Sequence, residues 1–210
     1  MASHFMTSDA YPIPAVTAQT EETIKKSRFI TLIAHTPGRE NAQAFIEAVR
    51  QAHPDARHHC WAFIAGTPKD AQQWGFSDDG EPSGTAGKPI LARLEGSGIG
   101  ELCAVVVRYS GGIKLGTGGL VRAYGGGTGA TLEVLDTIVK VPQSELHINC
   151  QYHQLNDIQH VLAQHGGSVI DTVYGETLTL HLSLPTQTLS MFKKHLHSHF
   201  KGQLCLPEDD

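Results

Sequence analysis

The sequence predicts an α+β protein of two domains, and three observations carry that prediction. The last 70 residues run in the order β-α-β-β-α-β, the ferredoxin-like arrangement. Val105 to Gly129 (VVVRYSGGIKLGTGGLVRAYGGGTG) breaks from three valines into glycines and then a helical pattern, which reads as strand, tight loop and helix. Glycine also divides the chain: fifteen of 22 lie between Gly80 and Gly129, and only four come later, which sets the boundary near residue 140. Residues 1–15 are expected to form a flexible N-terminus, with a tag remnant or an alternative start at Met6 near its beginning. The first domain then covers 16–138 and the second 143–207, with Asp136–Ser144 (DTIVKVPQS) as a short linker around Pro142.

In the first domain, Val16–Lys25 and Arg28–Ala34 read as strands, the second on Phe29, Ile30, Leu32 and Ile33. Asn41–Ala52 places Ala42, Phe45, Ile46, Ala48 and Val49 on a helical stripe, with Pro54 just beyond. His59–Ala65 (HCWAFIA) is a buried strand, Gly75–Gly87 irregular, and Pro89–Leu94 a short helix. Leu102–Tyr109 is a central strand, and Leu120–Leu135 a helix with Leu120, Tyr124 and Leu132 as candidate core positions. In the second domain the pattern gives strand Glu145–Cys150, helix Tyr152–His165 and a break at Gly166-Gly167. Strands Ser168–Tyr174 and Glu176–Leu184 follow around Gly175, then helix Pro185–Phe200, begun by Pro185, and a last strand Gln203–Leu206.

Composition limits the function. At 40% apolar and 18% charged residues the chain is an ordinary globular protein. No apolar run has the length to span a bilayer and no basic-then-apolar leader opens the chain, so a cytoplasmic protein without a membrane partner is expected. Cys60, Cys103, Cys150 and Cys205 are too dispersed for a zinc ribbon or a redox pair, and reduced, buried thiols fit them better. Net charge is −5, with the deficit in residues 141–210, which hold 3 Lys/Arg against 7 Asp/Glu. Within 86–125 the sign reverses: Lys88, Arg93, Arg108, Lys114 and Arg122 face only Glu95 and Glu101. A local basic field on an acidic protein follows.

Two segments carry candidate chemistry. In the glycine-rich segment, backbone amides at Gly116, Thr117 and Gly118 with Lys114 and Arg122 form a candidate anion site. Neither the Walker spacing nor a dinucleotide fingerprint is present, and the same glycines could serve close packing. In Phe76–Gly87 (FSDDGEPSGTAG), Asp78, Asp79 and Glu81 are candidate metal ligands or polar partners; the alternative is turn formation and capping of the next helix. His195 and His199 stand four apart on a predicted helix, without the HExxH pattern or a carboxylate companion, so a solvated face is the reading. No nucleophile motif marks a catalytic residue, and no cofactor is expected.

Phe76–Leu91 (FSDDGEPSGTAGKPIL) and Val105–Gly126 together resemble the signature of the IMPACT family, and the C-terminal pattern is similar to its bacterial YigZ-like branch. The resemblance covers nearly all of the chain from about residue 16. Ser110 departs from it, since an aromatic residue is common there. The resemblance implies an N-terminal ribosomal protein S5 domain 2-like domain, a sheet with helices on one face. It also implies a ferredoxin-like C-terminal domain similar to one in elongation factor G. Eukaryotic relatives act in translation control through an additional N-terminal domain, which is not expected in this chain. The expected function is therefore a translation-associated regulator that binds RNA or the ribosome. Lys88, Arg108, Lys114 and Arg122 would contact phosphates, and Tyr109 or Tyr124 would stack on a base. Two alternatives stay open. One is a nucleotide- or phosphate-binding enzyme related by fold to small-molecule kinases, with Mg²⁺ on Asp78, Asp79 or Glu81. The other is a module that binds a protein partner of the translation apparatus and has no anion site.

Overall fold

The computed structural model describes residues 10–201, 203 and 204. It is a mixed α+β chain that divides into two compact units, Tyr11–Lys140 and a second beginning at Val141. In the first, β1 (Tyr11–Pro14), β2 (Ala18–Ile24), β3 (Ser27–His35), α1 (Arg39–Ala52), β4 (His58–Ile64) and β5 (Trp74–Ser77) are followed by α2 (Gly87–Ser97), β6 (Leu102–Tyr109), α3 (Thr117–Glu133) and β7 (Thr137–Lys140). Five strands form one antiparallel sheet in the order β2-β3-β6-β4-β5.

The valine-rich β6 is central and buried from Leu102 to Arg108. Its apolar run is continuous because both faces are covered. Residues of one parity, among them Phe29, Cys60, Ala62, Ala104 and Val106, pack with Ile90 and Leu94 of α2 and Leu120 and Tyr124 of α3. Residues of the other parity, among them Ile30, Phe63, Cys103, Val105 and Val107, pack with Ala42, Ile46 and Val49 of α1. This corrects the expectation of helices on one face only: the i, i+4, i+7 stripe of α1 needs an apolar partner, and the second face of β6 supplies it.

The expected flexible segment 1–15 is also corrected where it is described. Residues 11–14 form β1, paired antiparallel with β7 from Tyr11↔Lys140 to Pro14↔Thr137, while 1–9 lie outside the described residues. The same pairing shortens the expected linker at Asp136–Ser144: β7 takes Thr137–Lys140, while the division between the units falls inside it, between Lys140 and Val141. Glu101, at φ +52 and only 6% exposed, fastens this ribbon to the sheet. Its carboxylate accepts hydrogen bonds from Tyr11 Oη (3.0 Å) and Lys140 Nζ (2.5 Å) and meets His35 Nε2 at 2.9 Å. Burial raises the Glu101 pKa, but these three donors outweigh it and hold the carboxyl below its ordinary value. Burial and the Glu101 charge push the Tyr11 hydroxyl up to about 12.

The second unit contains β8 (Gln143–Cys150), α4 (Leu155–Gln164), β9 (Ser168–Tyr174), β10 (Leu178–Pro185) and α5 (Leu189–His199). Its antiparallel sheet has the order β8-β10-β9. Strict alternation in β10 buries Leu178, Leu180, Leu182 and Leu184 against Ile158, Leu162, Phe192 and Leu196 of the two helices. Pro185 ends β10 instead of opening a helix, and a 3-10 turn at Thr186–Thr188 leads into α5. Of the expected strand Gln203–Leu206, residues 203 and 204 are not in a strand, and 205 and 206 lie outside the described residues. Cys60, Cys103 and Cys150 are buried free thiols. Among the described residues no helix is long and apolar enough to cross a membrane.

Candidate anion-binding site

The acidic loop and the glycine-rich segment meet inside the first unit, through Glu81. Its Oε1 accepts hydrogen bonds from Arg108 Nη1 at 2.6 Å and Tyr124 Oη at 2.7 Å. Arg108 stands on the α2/α3 face of β6, between Phe29 and His58 in the strand register, with its guanidinium 5.6 Å from the Phe29 ring centre. Phe29 and Tyr124 meet edge to face at 5.5 Å. Glu81 is 9% exposed, Arg108 8% and Tyr124 0%. This corrects two expectations. Arg108 cannot reach a phosphate and Tyr124 cannot stack on a base, because each is enclosed with Glu81. Burial first, then neighbouring Cys60 and Glu81, drive the Tyr124 hydroxyl strongly up and keep it a neutral donor.

Tyr109 points to the other face by strand alternation. Its hydroxyl meets His53 Nδ1 at 2.9 Å, and the Arg28 guanidinium lies 5.5 Å from its ring centre, so it stands on the α1 side of the sheet, away from Tyr124.

The other two acids are occupied as structural acceptors. Asp78 takes backbone N–H bonds from Gly84 (2.8 Å), Ala86 (3.0 Å) and Gly87 (2.8 Å), which caps α2 from outside the helix. Burial raises the Asp78 pKa, yet those three bonds and the Lys88 charge outweigh it and the carboxyl is lowered. Asp79 accepts from His59 N–H (2.7 Å) and Arg50 Nη2 (3.0 Å). The loop is therefore a set of polar partners. Among the described residues no group of three or more metal-ligating side chains converges. His195 meets His165 at 3.3 Å, and His199 meets Asp157 at 3.5 Å, so the two do not share a site.

What remains open to solvent is cationic. Lys114 is exposed on the loop between β6 and α3, and Arg122 is exposed on α3. Gly116, at φ +76, starts that helix without a side-chain cap, leaving the N–H groups of Thr117 and Gly118 in the first turn. The positive end of a 17-residue helix dipole therefore lies beside Lys114. Lys88 is exposed on α2, where its charge also helps to lower the Asp78 pKa.

Sequence reasoning missed Lys25 and Lys26. They form the two-residue turn between β2 and β3, with φ +46 and +65. Such turns favour Asn-Gly because both positions need positive φ. The available signal was a charged pair between two predicted strands. Gly111 holds this turn against the glycine-rich loop: a Cβ there would lie 2.0 Å from the Lys26 carbonyl oxygen, and its N–H donates to Ser27 Oγ at 3.2 Å. Lys25 and Arg122 then line one recess of about 230 Å³, with Ile24, Leu115, Gly119 and Ala123.

Fold and site together define a two-unit α+β protein in which a buried Glu–Arg–Tyr knot supports a cationic glycine loop. Residues 25–132 match the Impact N-terminal domain, and residues 148–203 match a domain of unknown function, DUF1949. The IMPACT family member YigZ of Escherichia coli K12 is 54% identical over 198 residues, covering 94% of this chain and 97% of its own. An IMPACT family member of Haemophilus influenzae is 46% identical over 196 residues, covering 93% and 95%. A crystal structure described as that of a hypothetical protein superposes with a TM-score of 0.73 at 52% identity, covering 97% of this chain and 99% of that one. The chain belongs to the IMPACT family, on its YigZ-like branch.

Proposed function

We propose that this protein is a cytoplasmic, translation-associated regulator that binds RNA or the ribosome through the surface of Lys25, Lys26, Lys114 and Arg122. The observation that carries the reading is the division of charge. Asp78, Asp79 and Glu81 are paired within the fold, while the four cations are exposed and, among the described residues, have no carboxylate partner around the open start of α3. An overall charge of −5 opposes non-specific polyanion binding, so this local patch must act over short range. Family membership fits a role in translation. The architecture belongs to the same reading: an S5 domain 2-like first unit with α1 added on its second face, and a ferredoxin-like second unit similar to one in elongation factor G.

Binding to ribosomes and to short RNAs across a salt series tests this for the wild type and for Lys114→Glu with Arg122→Glu. Phosphate contact predicts a linear fall of log affinity with log salt, shallower by about 2 in the double variant. Equal slopes, or no binding of either protein at low salt, would overturn the proposal.

A further inference from the structure

We infer that the recess between the β2–β3 turn and α3 seats one unpaired nucleotide of a single-stranded RNA, its base against Ile24 and Leu115 and its phosphate between Lys25 and Arg122. This rests on the RNA-binding reading above and narrows it to one ligand class. The recess is not uniformly charged. Exposed Lys25 and Arg122 form its rim, half-buried Ile24 and Leu115 its walls, and buried Ala123 its floor. A bare phosphate would use the rim and leave the walls in contact with water. A group with a flat apolar body and an adjacent negative charge covers both, and a nucleotide has that form.

Exposed apolar residues accompany two of the cations along the chain. Ile113 is 43% exposed and Val121 41%, and each is the chain neighbour of a cation, Lys114 and Arg122. Apolar residues thus stand next to cations in this segment, a composition suited to a ligand that carries both bases and phosphates. An RNA duplex presents stacked, paired bases behind its backbone, so only its phosphates would reach the rim. With Tyr109 and Tyr124 engaged elsewhere, Ile24 and Leu115 supply the base platform in this recess.

Four probes test the inference by fluorescence anisotropy or competition: a single-stranded RNA of about ten nucleotides, the same strand annealed to its complement, an abasic ribose–phosphate strand of equal length, and free AMP. The single strand is expected to bind about tenfold more tightly than the abasic strand, with the same salt slope. It is also expected to outbind the duplex and AMP. Leu115→Ser should shrink the preference for the single strand over the abasic strand, each affinity being measured on the variant itself. The abasic comparison uses the wild-type protein and does not depend on the variant folding. Equal binding of base-bearing and abasic strands, or AMP binding as tightly as the strand, would overturn the inference while leaving RNA binding intact. Failure of every RNA to bind at low salt would remove both.

Discussion

Glu81 shows what a single carboxylate does when two donors enclose it. Removing one partner of a buried ion pair leaves the other charge uncompensated, which costs about 3–5 kcal/mol. Arg108→Ala is therefore expected to lower stability by about that amount in urea titration, whereas Arg108→Met with Glu81→Leu should recover much of it. If Arg108→Ala unfolds at the wild-type midpoint, the knot contributes nothing. Asp78 and Glu101 give the acid limit. Both have lowered folded pKa values, so their stabilisation is complete above the unfolded carboxylate value near 4 and disappears as pH falls through the folded values. Asp78→Asn should flatten the loss of stability between about pH 5 and 2; an unchanged pH profile would count against its capping role. The sequence showed these residues as charged but not as paired. Arg108 looked like Lys114 in composition, and only strand parity and the loop at Glu81 separate a buried guanidinium from an exposed ammonium.

In α3, three successive glycines have three different surroundings. A Cβ at Gly127 would lie 2.8 Å from Thr31 Oγ1 and 3.3 Å from Glu22 Oε1, so the helix sits close to β2 and β3 there. At Gly125 the nearest atoms belong to Pro89 and Arg93 of α2, at 3.7 Å, and at Gly126 nothing lies within 4 Å. Gly126→Ala is thus expected to stabilise by about 0.5–1 kcal/mol through helix propensity, while Gly127→Ala destabilises. Thermal denaturation separates the two, and the same sign for both would contradict the close approach at Gly127. Elements with strong local patterns, such as α3 and β6, were legible in sequence. The four-residue strands β1, β5 and β7 were not, because each is too short for a periodic signal, and β1 and β7 pair across nearly the whole first unit. The second face of β6 was equally hidden: a buried valine run does not say which helix covers which side.

At the scale of the molecule, each unit has its own apolar core, with Phe29, Val106 and Tyr124 in one and Ile148, Leu180 and Phe192 in the other. Ile148→Ala should cost about 2–5 kcal/mol, and hydrogen exchange should show protection lost from residue 141 onward but kept in 11–140. Loss across both units would mean that they fold as one. The division was legible from glycine distribution and from the β-α-β-β-α pattern. The candidate site was legible only in part: Lys114 and Arg122 stand in a marked segment, whereas Lys25 and Lys26 join them through a turn 88 to 97 residues upstream that only the fold brings near.

That turn sets two demands against each other. Positive φ costs a side-chain-bearing residue about 1–2 kcal/mol, so Lys25→Asn with Lys26→Gly should raise the Tm of the first unit by about 2–4 °C while, on the proposed function, weakening RNA binding. Selection for heat resistance alone would erode these lysines, and a relative adapted to high temperature that keeps them would be retaining affinity at the expense of a sturdier hairpin.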